Sequence, residues 1–411
     1  MSKQTGSILL VAGTCIGSGM IALPLVLAQL GIIPSTILLI IICVVSYYIS
    51  IIGSELSLQI EYGLPLHSLA KIYCGRVSQF ISSIGFKILT YSLLAVFIYG
   101  GSSILQKLLE YNFAKKEYDL SVIIMCYSLG TFCVLSLPIK FIDYANRTLF
   151  LGLLIVITIL IIALIGEINW TNLPLFSENL SQLSSWRIAI PVVFTSFGFQ
   201  IILHTLVNYC DQNTNKLRKA FFYGVIISAI IYLIWNISTL SVIYNNNLTF
   251  YQKIISGEVE IGDLIKELSE ISKWKSMQLF VWIISSLAIL TSLIGVGIGL
   301  KDSIRNIIQN NMVSKKISSS GKNFISSGIT VLPPCLISIL APNAFISALS
   351  FAGMISAFIA IIMPIYLFWK MKSDNKNINL NFSEIRNQWI AIGLFCIGII
   401  IILCEIGNII H

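Results

Sequence analysis

The sequence predicts an all-α polytopic membrane protein with eleven transmembrane helices, arranged as two five-helix halves of inverted orientation plus one extra helix. The first and sixth helices are broken. Three observations predict this class. The chain of 411 residues is 56% hydrophobic and 11% charged, where soluble domains carry about 25% charged residues; its mean hydropathy is +0.88. The apolar residues gather into runs close to the ~20 residues a helix needs to cross a bilayer, not into the ~10-residue alternating segments of a transmembrane barrel. Two of these runs, five apart, are interrupted by glycine and small polar residues.

The runs cover residues 7–30, 35–58, 84–105, 120–138, 148–166, 188–208, 219–244, 277–300, 323–341, 344–369 and 388–408. The first continues past any small-residue cleavage site and reads as a retained helix, not a signal peptide. On this division, residues 1–168 form the first half and 169–187 an external loop. Residues 188–369 form the second half, and 370–411 an internal linker with the eleventh helix. Residues 59–83, with Gly63, Pro65 and Gly75 around Leu66, Leu69 and Ile72, read as a short amphipathic helix at the inner surface. Residues 245–276 form a second long external loop, whose mixed-charge part from Glu258 to Lys275 predicts a surface helix of its own.

Orientation follows from the basic residues. With the N-terminus in the cytoplasm and the C-terminus outside, the internal segments hold most of the Lys and Arg, including Arg76, Lys140, Arg218, Lys301, Lys316 and Lys370. The external segments hold Lys107, Lys115, Lys116, Arg187, Lys253, Lys266, Lys273 and Lys275, mixed with acids such as Glu258, Glu260 and Glu267. Excess positive charge marks the cytoplasmic side. Trp170 and Trp186 then fall at the outer interface and Trp369 at the inner one, as an aromatic belt requires. The net charge of +8 thus concerns membrane orientation and does not point to nucleic acid.

The first interruption is Gly13-Thr14-Cys15-Ile16-Gly17-Ser18-Gly19. Glycine costs a helix interior roughly 1 kcal/mol relative to alanine. Opened backbone is tolerated in hydrocarbon only where it faces protein or a water-filled cavity. Such a stretch either lets another helix pack closely or exposes backbone groups to a ligand at mid-membrane. In the second case the helix resumes near Ser18, and the amides of Gly17, Ser18 and Gly19 with the positive dipole end suit a carboxylate. The carbonyls of Gly13 and Ile16 lose helical partners and suit a cation. Poles of both signs fit a zwitterion such as an amino acid, and Thr14 and Ser18 add hydroxyls.

The second interruption is Thr195-Ser196-Phe197-Gly198-Phe199-Gln200, followed by His204. Its run crosses in the direction opposite to the first. Broken helices at the first position of each inverted half are the expected mark of a transporter with a mid-membrane site. Phe194, Phe197 and Phe199 flank this break, and Tyr91 and Tyr99 lie on the third helix; aromatic walls with a few oriented polar groups suit an aromatic side chain. Plain packing or lipid contact describes most of the 22 Phe equally well. On the eighth helix, Ala288, Thr291 and Ser292 share a face. Two hydroxyls and a carbonyl can complete the oxygen shell of a small cation; Ser and Thr in membrane helices also commonly bond back to their own helix.

Ionisable groups within spans are functional hypotheses by default. Glu55 can carry a proton, or reach water or pair with an internal Lys or Arg. His204 can titrate or cap the restarted helix. Glu405 lies near the outer end of the last helix, and the fifth helix has no lysine. The nine cysteines show no CxxC or metal spacing and read as small buried apolar residues. With no HExxH, no G-x-S-x-G and no phosphate loop among these residues, a membrane enzyme is not expected. No cofactor and no metal is expected beyond a Na+ at the coupling-ion position, and no obligate protein partner is evident.

The run from Gly13 to Pro24 (GTCIGSGMIALP) resembles the first helix of the bacterial aromatic amino acid permeases, the tyrosine- and tryptophan-specific transporters. The resemblance continues through Ser196 to Phe199, Lys216 to Ala220, Ala288 to Gly299, Leu332-Pro333-Pro334 and Ala341-Pro342, and covers about the whole chain. It implies a leucine-transporter-like fold within the amino acid/polyamine/organocation superfamily, and ion-coupled uptake of tyrosine or tryptophan, usually driven by protons. It assigns the substrate carboxylate to Gly17, Ser18 and Gly19, and the aromatic pocket to Phe199 with Tyr91 or Tyr99. By similarity to sodium-coupled transporters of this fold, Gly13, Ile16, Ala288, Thr291 and Ser292 match a cation site. The sequence departs from the family after the second break, where Gln200, Ile201 and His204 replace a smaller His-Gly and proline pattern. Sodium-coupled uptake of another neutral amino acid is the runner-up expectation. A membrane amino-acid sensor is a third, though the short internal segments supply no output domain.

Overall fold

The computed structural model describes residues 3–60, 64–112, 118–166, 168–271, 275–310, 319–341, 345–374 and 379–410. Gly63, Pro342 and the side chain of Ser18 lie outside what is described. Helix α1 spans Lys3–Cys15 and α2 Ser18–Leu27. The two are bent by 47° about Ile16 and Gly17, where Gly17 takes extended angles of φ −149° and ψ −142°. A turn at Gly31 (φ +86°) follows. Glycine is required there twice over, since a Cβ would also lie 2.6 Å from the Phe176 Cα.

Helix α3 is Ile32–Leu58, α4 Leu66–Asn112, α5 Leu120–Ser136 and α6 Ile139–Ile165. Helix α7 is Leu183–Ser196; a 3-10 turn, Phe199–Ile202, joins it to α8, Leu203–Tyr209. Helix α9 is Thr214–Asn246, α10 Leu248–Ile255, α11 Ile261–Ile271 and α12 Lys275–Asn310. Helix α13 is Ser319–Leu340 and α14 Phe345–Ala357. A π turn, Phe358–Ile362, leads into α15, Met363–Asp374, and α16 is Gln388–Ile410. The starts of α5 and α9 are fixed by side-chain caps: Asp119 accepts from the Ser121 amide at 2.9 Å and Asn213 from the Lys216 amide at 3.0 Å.

Eight spans are long and apolar enough to cross a membrane, and a ninth if bent α1 and α2 count as one. Leu120–Ser136 and Thr148–Leu160 are shorter apolar helices. Among the described residues there is no strand. The chain is an integral, polytopic membrane protein. Its outer face confirms the solvent: Ile37, Ile40, Ile41 and Val44 of α3 are all exposed, a stripe that water would penalise and lipid accepts.

The core sits on α2. Every residue from Met20 to Ala28 is buried, and a helix apolar all round belongs inside. It packs against α7, α9 and α12, while α1 lies along α9. Helix α16 is peripheral and packs on α7 and α14.

Four expectations change. The inner amphipathic segment is not separate: its helix begins at Leu66 and runs into the third span through a kink at Gly75 (φ +82°). The second external loop folds as two helices, and α11 is not a surface helix, since Ile261, Leu264, Ile265 and Leu268 are buried against neighbours that include α4 and α12. Cys126, Cys133 and Cys396 are exposed on the apolar exterior, because a lipid-facing site tolerates a small apolar side chain as well as the core does. Among the described residues Glu55 forms no ion pair with an internal Lys or Arg. It is fully buried, and its carboxylate accepts from Gln59 Nε2 at 2.6 Å, the Asn381 amide and Nδ2 at 3.1 Å each, and the Phe382 amide at 3.1 Å.

Candidate functional site

The two interrupted helices meet. A Cβ on Gly19 would lie 2.6 Å from Ser196 Oγ and 2.8 Å from the Ser196 Cα, so the start of α2 lies directly on the end of α7. Only glycine allows that approach. The start of α2 leaves its first amides without intrahelical acceptors, and the ends of α1 and α7 leave carbonyls without donors.

Two contacts cross between the gaps among the described residues: the Cys15 side chain reaches the Phe199 backbone, and a side chain of α9 reaches both helix ends. The buried Tyr232 hydroxyl of α9 lies 2.5 Å from the Cys15 carbonyl oxygen and 2.6 Å from that of Ser196. These are the last residues of α1 and α7. The Tyr232 ring packs edge-on against Phe197, with centroids 5.1 Å apart at 81°. Phe199 lies tilted against Phe221 at 6.0 Å. Phe194, Phe197 and Phe199 are fully buried. No residue of the seventh run stands out in the sequence reading. The available signal was a tyrosine in mid-span, away from the interfacial belts where tyrosine concentrates.

The first break also touches α12. A Cβ on Gly17 would lie 2.1 Å from Ser292 Oγ and 3.7 Å from the Ala288 carbonyl oxygen. Thr291 Oγ1 donates to the Leu287 and Ala288 carbonyls at 2.9 and 3.1 Å, and Ser292 Oγ to Ala288 at 2.9 Å. The hydroxyls thus bond back to their own helix while keeping oxygen lone pairs as acceptors. Ile16 is fully buried and its amide donates to the Ala12 carbonyl at 2.8 Å. Gly13 faces the Phe150 ring, which a Cβ would meet at 2.1 Å, so at this position the glycine serves close packing. The Thr14 hydroxyl is bound to its own helix, donating to the Leu10 carbonyl at 2.7 Å.

Gln200 sits in the 3-10 turn after the second break. Both its amide oxygen and its amide nitrogen are buried without a hydrogen-bond partner. His204, one turn on, is half-buried, and its Nε2 lies 3.4 Å from Thr205 Oγ1.

The two tyrosines of α4 turn to other partners. Tyr91 donates to the Ile329 carbonyl of α13 at 2.9 Å. Tyr99 hydrogen-bonds Glu260 and lines an apolar groove with Ala95, Ile337, Ser338 and Phe345. Glu405 is buried between α14 and α16, accepting from Ser350 Oγ and, at 3.0 Å, from Asn408 Nδ2. Among the described residues no group of His, Cys, Asp and Glu could hold a metal ion.

Chemically, the junction presents poles of both signs from backbone groups. Amides at one helix start and carbonyls at two helix ends meet at the junction, and the unpartnered Gln200 amide lies in the turn that follows the second break.

The model of the tryptophan/tyrosine permease family matches residues 1–405. The tyrosine-specific transport system 1 of Haemophilus influenzae is 31% identical over 380 residues, 92% of this chain and 90% of that protein. The tyrosine-specific transport system 2 of the same organism is 28% identical over 406 residues, 98% and 96% of the two chains. The glutamine transporter 2 of Aliivibrio fischeri is 27% identical over 414 residues, 98% and 99%.

Proposed function

The chain belongs to the tryptophan/tyrosine permease family, whose members are transport proteins and not enzymes, and on that premise we propose that it imports an aromatic amino acid, tyrosine or tryptophan, across the bacterial inner membrane. Uptake is driven by proton symport and proceeds by alternating access. The observation that carries this reading is the contact of the two helix interruptions at Gly19 and Ser196. It brings one helix start and two helix ends to one place deep in the protein, which suits the carboxylate and ammonium of an amino acid.

In this reading the amides of Gly17, Ser18 and Gly19 take the carboxylate. The aromatic side chain lies by Phe194, Phe197 and Phe199, and Gln200, whose amide has no protein partner, meets a polar substrate atom. Tyr91 and Tyr99 stay outside the pocket, held by α13 and Glu260. Of the two candidate proton carriers, His204 is favoured over Glu55, because four donors hold the Glu55 carboxylate against residues 381–382. The architecture is the eleven-helix, five-plus-five inverted arrangement, with N-terminus inside and C-terminus outside. Cys15 and Ser196, each the last residue before a break, support the pairing of the halves.

A second reading is sodium-coupled uptake of another neutral amino acid. The closeness of Gly17 to Ser292 and the Ala288 carbonyl favours it; Gly13, Ile16 and Thr291 would complete the cation site in this reading, and one relative is named a glutamine transporter. The test is uptake of tritiated tyrosine, tryptophan and glutamine into proteoliposomes under a proton gradient or a sodium gradient alone. Tyrosine or tryptophan accumulation under the proton gradient alone supports the first reading. Accumulation only with sodium replaces it with the second.

A further inference from the structure

We propose that Tyr232 is a positioning residue that couples the two interrupted helices, so that they open and close together. Its hydroxyl is within hydrogen-bond distance of two carbonyl oxygens, Cys15 at 2.5 Å and Ser196 at 2.6 Å. A phenol has one proton to donate. It therefore serves one carbonyl fully, or shares one proton between both, and any parting of α1 from α7 leaves one orphaned. A buried carbonyl left without a donor loses a hydrogen bond that water cannot restore, which disfavours the parted state about tenfold or more.

The position favours this role over simple packing. Both carbonyls belong to the last residues of their helix segments, where no backbone donor is available. The two half-helices thus end on the same hydroxyl, with both negative dipole ends facing it. Tyr232 is fully buried, so water cannot replace it. Its ring is held edge-on by Phe197, inside the second break. Four residues earlier on the same face, Ser228 bonds Gly224 at 3.0 Å and reaches α1 alone, at the Ala12 carbonyl (3.5 Å) and the Cys15 side chain, and not α7. Tyr232 is thus the side chain of α9 seen to reach both breaks. The proposal rests on the transport reading for its consequence, alternating access, but not for the clamp itself.

The test separates the two. Tyr232→Phe keeps the ring and its contact with Phe197 and removes only the hydroxyl; Ser228→Ala is the control on the same face. Hydrogen exchange measured by mass spectrometry, with no substrate present, should show amides 16–19 and 197–199 exchanging about tenfold faster in Tyr232→Phe, both segments together, and unchanged in Ser228→Ala. In proteoliposomes, Tyr232→Phe should lower maximal uptake about tenfold while half-saturation moves less than about threefold. Exchange that rises at one break alone, or at neither, overturns the proposal. So does a Phe variant with wild-type uptake, since packing alone would then suffice. Should the variant fail to insert, the wild-type protein decides: coupled breaks share one opening free energy across a temperature series, and independent slopes at the two segments overturn the clamp. A wild-type protein that takes up no amino acid defeats the transport reading and leaves the exchange comparison to judge the clamp.

Discussion

Gly19 stands against Ser196 so closely that a Cβ at residue 19 would lie 2.8 Å from the Ser196 Cα. Backbone cannot yield as a flexible side chain can. Gly19→Leu is therefore expected to push α2 away from α7, with the cost of over-packing at about 1–3 kcal/mol or more. Radiolabelled tyrosine and tryptophan binding should be lost while the protein still inserts and elutes as one species. A variant that binds normally would mean that the first break serves packing only.

Thr291→Ala combined with Ser292→Ala removes the hydroxyl that α12 presents beside Gly17 and that of its neighbour. Both bond to their own helix, so the fold should survive within a few degrees of melting temperature. Ion-dependent uptake should be abolished. Uptake with unchanged dependence on either gradient would remove α12 from the coupling mechanism.

Gln200→Ala tests the orphaned amide after the second break. A site built to hydrogen-bond a substrate polar atom rejects analogues that lack it, because its own groups are then unpaired. The wild type should prefer tyrosine to phenylalanine, and the variant should lose at least about tenfold of that preference in competition uptake. Equal discrimination before and after the change would place Gln200 away from the substrate side chain.

Glu55→Gln weakens an acceptor that holds Asn381 and Phe382. Hydrogen bonds to a charged group contribute about 1.5–3 kcal/mol, so the expected result is a lower melting temperature with the pH profile of uptake retained. If the profile between pH 5 and 8 disappears instead, Glu55 is the proton carrier and His204 is not.

The linker is held a second time, by Arg218 and Glu384: Nε to Oε1 at 2.5 Å and a second guanidinium nitrogen to Oε2 at 3.0 Å. Burial pushes the Glu384 carboxyl up, but its own backbone amide and the Arg218 guanidinium outweigh this and hold it below its usual value of 4.5. A depressed carboxylate contributes stability above its unfolded value, and that contribution is lost as pH falls through the lower folded one. Melting temperature should thus fall below about pH 4.5, and Glu384→Gln should flatten that acid limb. A variant with the wild-type acid limb would assign it to another group.

Much of the fold was legible in the sequence, and the reason is the solvent. A bilayer asks for ~20 apolar residues per span and punishes opened backbone, so the runs and the interruptions at Gly13–Gly19 and Thr195–Gln200 stand out by composition. What composition could not decide is which side of each helix faces protein. In water the polar face marks the outside; here both faces are apolar, so nothing in the spacing of Tyr91 says that it turns to Ile329. Tyr91 and Tyr99 look alike in sequence to Tyr232, yet only packing sets the last between Cys15 and Ser196, 217 and 36 residues away. The same holds for Glu55, whose partners Asn381 and Phe382 are more than 300 residues on. The sequence by itself determined the membrane class, the broken helices and the family. The tertiary structure alone decided which groups meet at the breaks, because that depends on how neighbouring helices are turned toward one another.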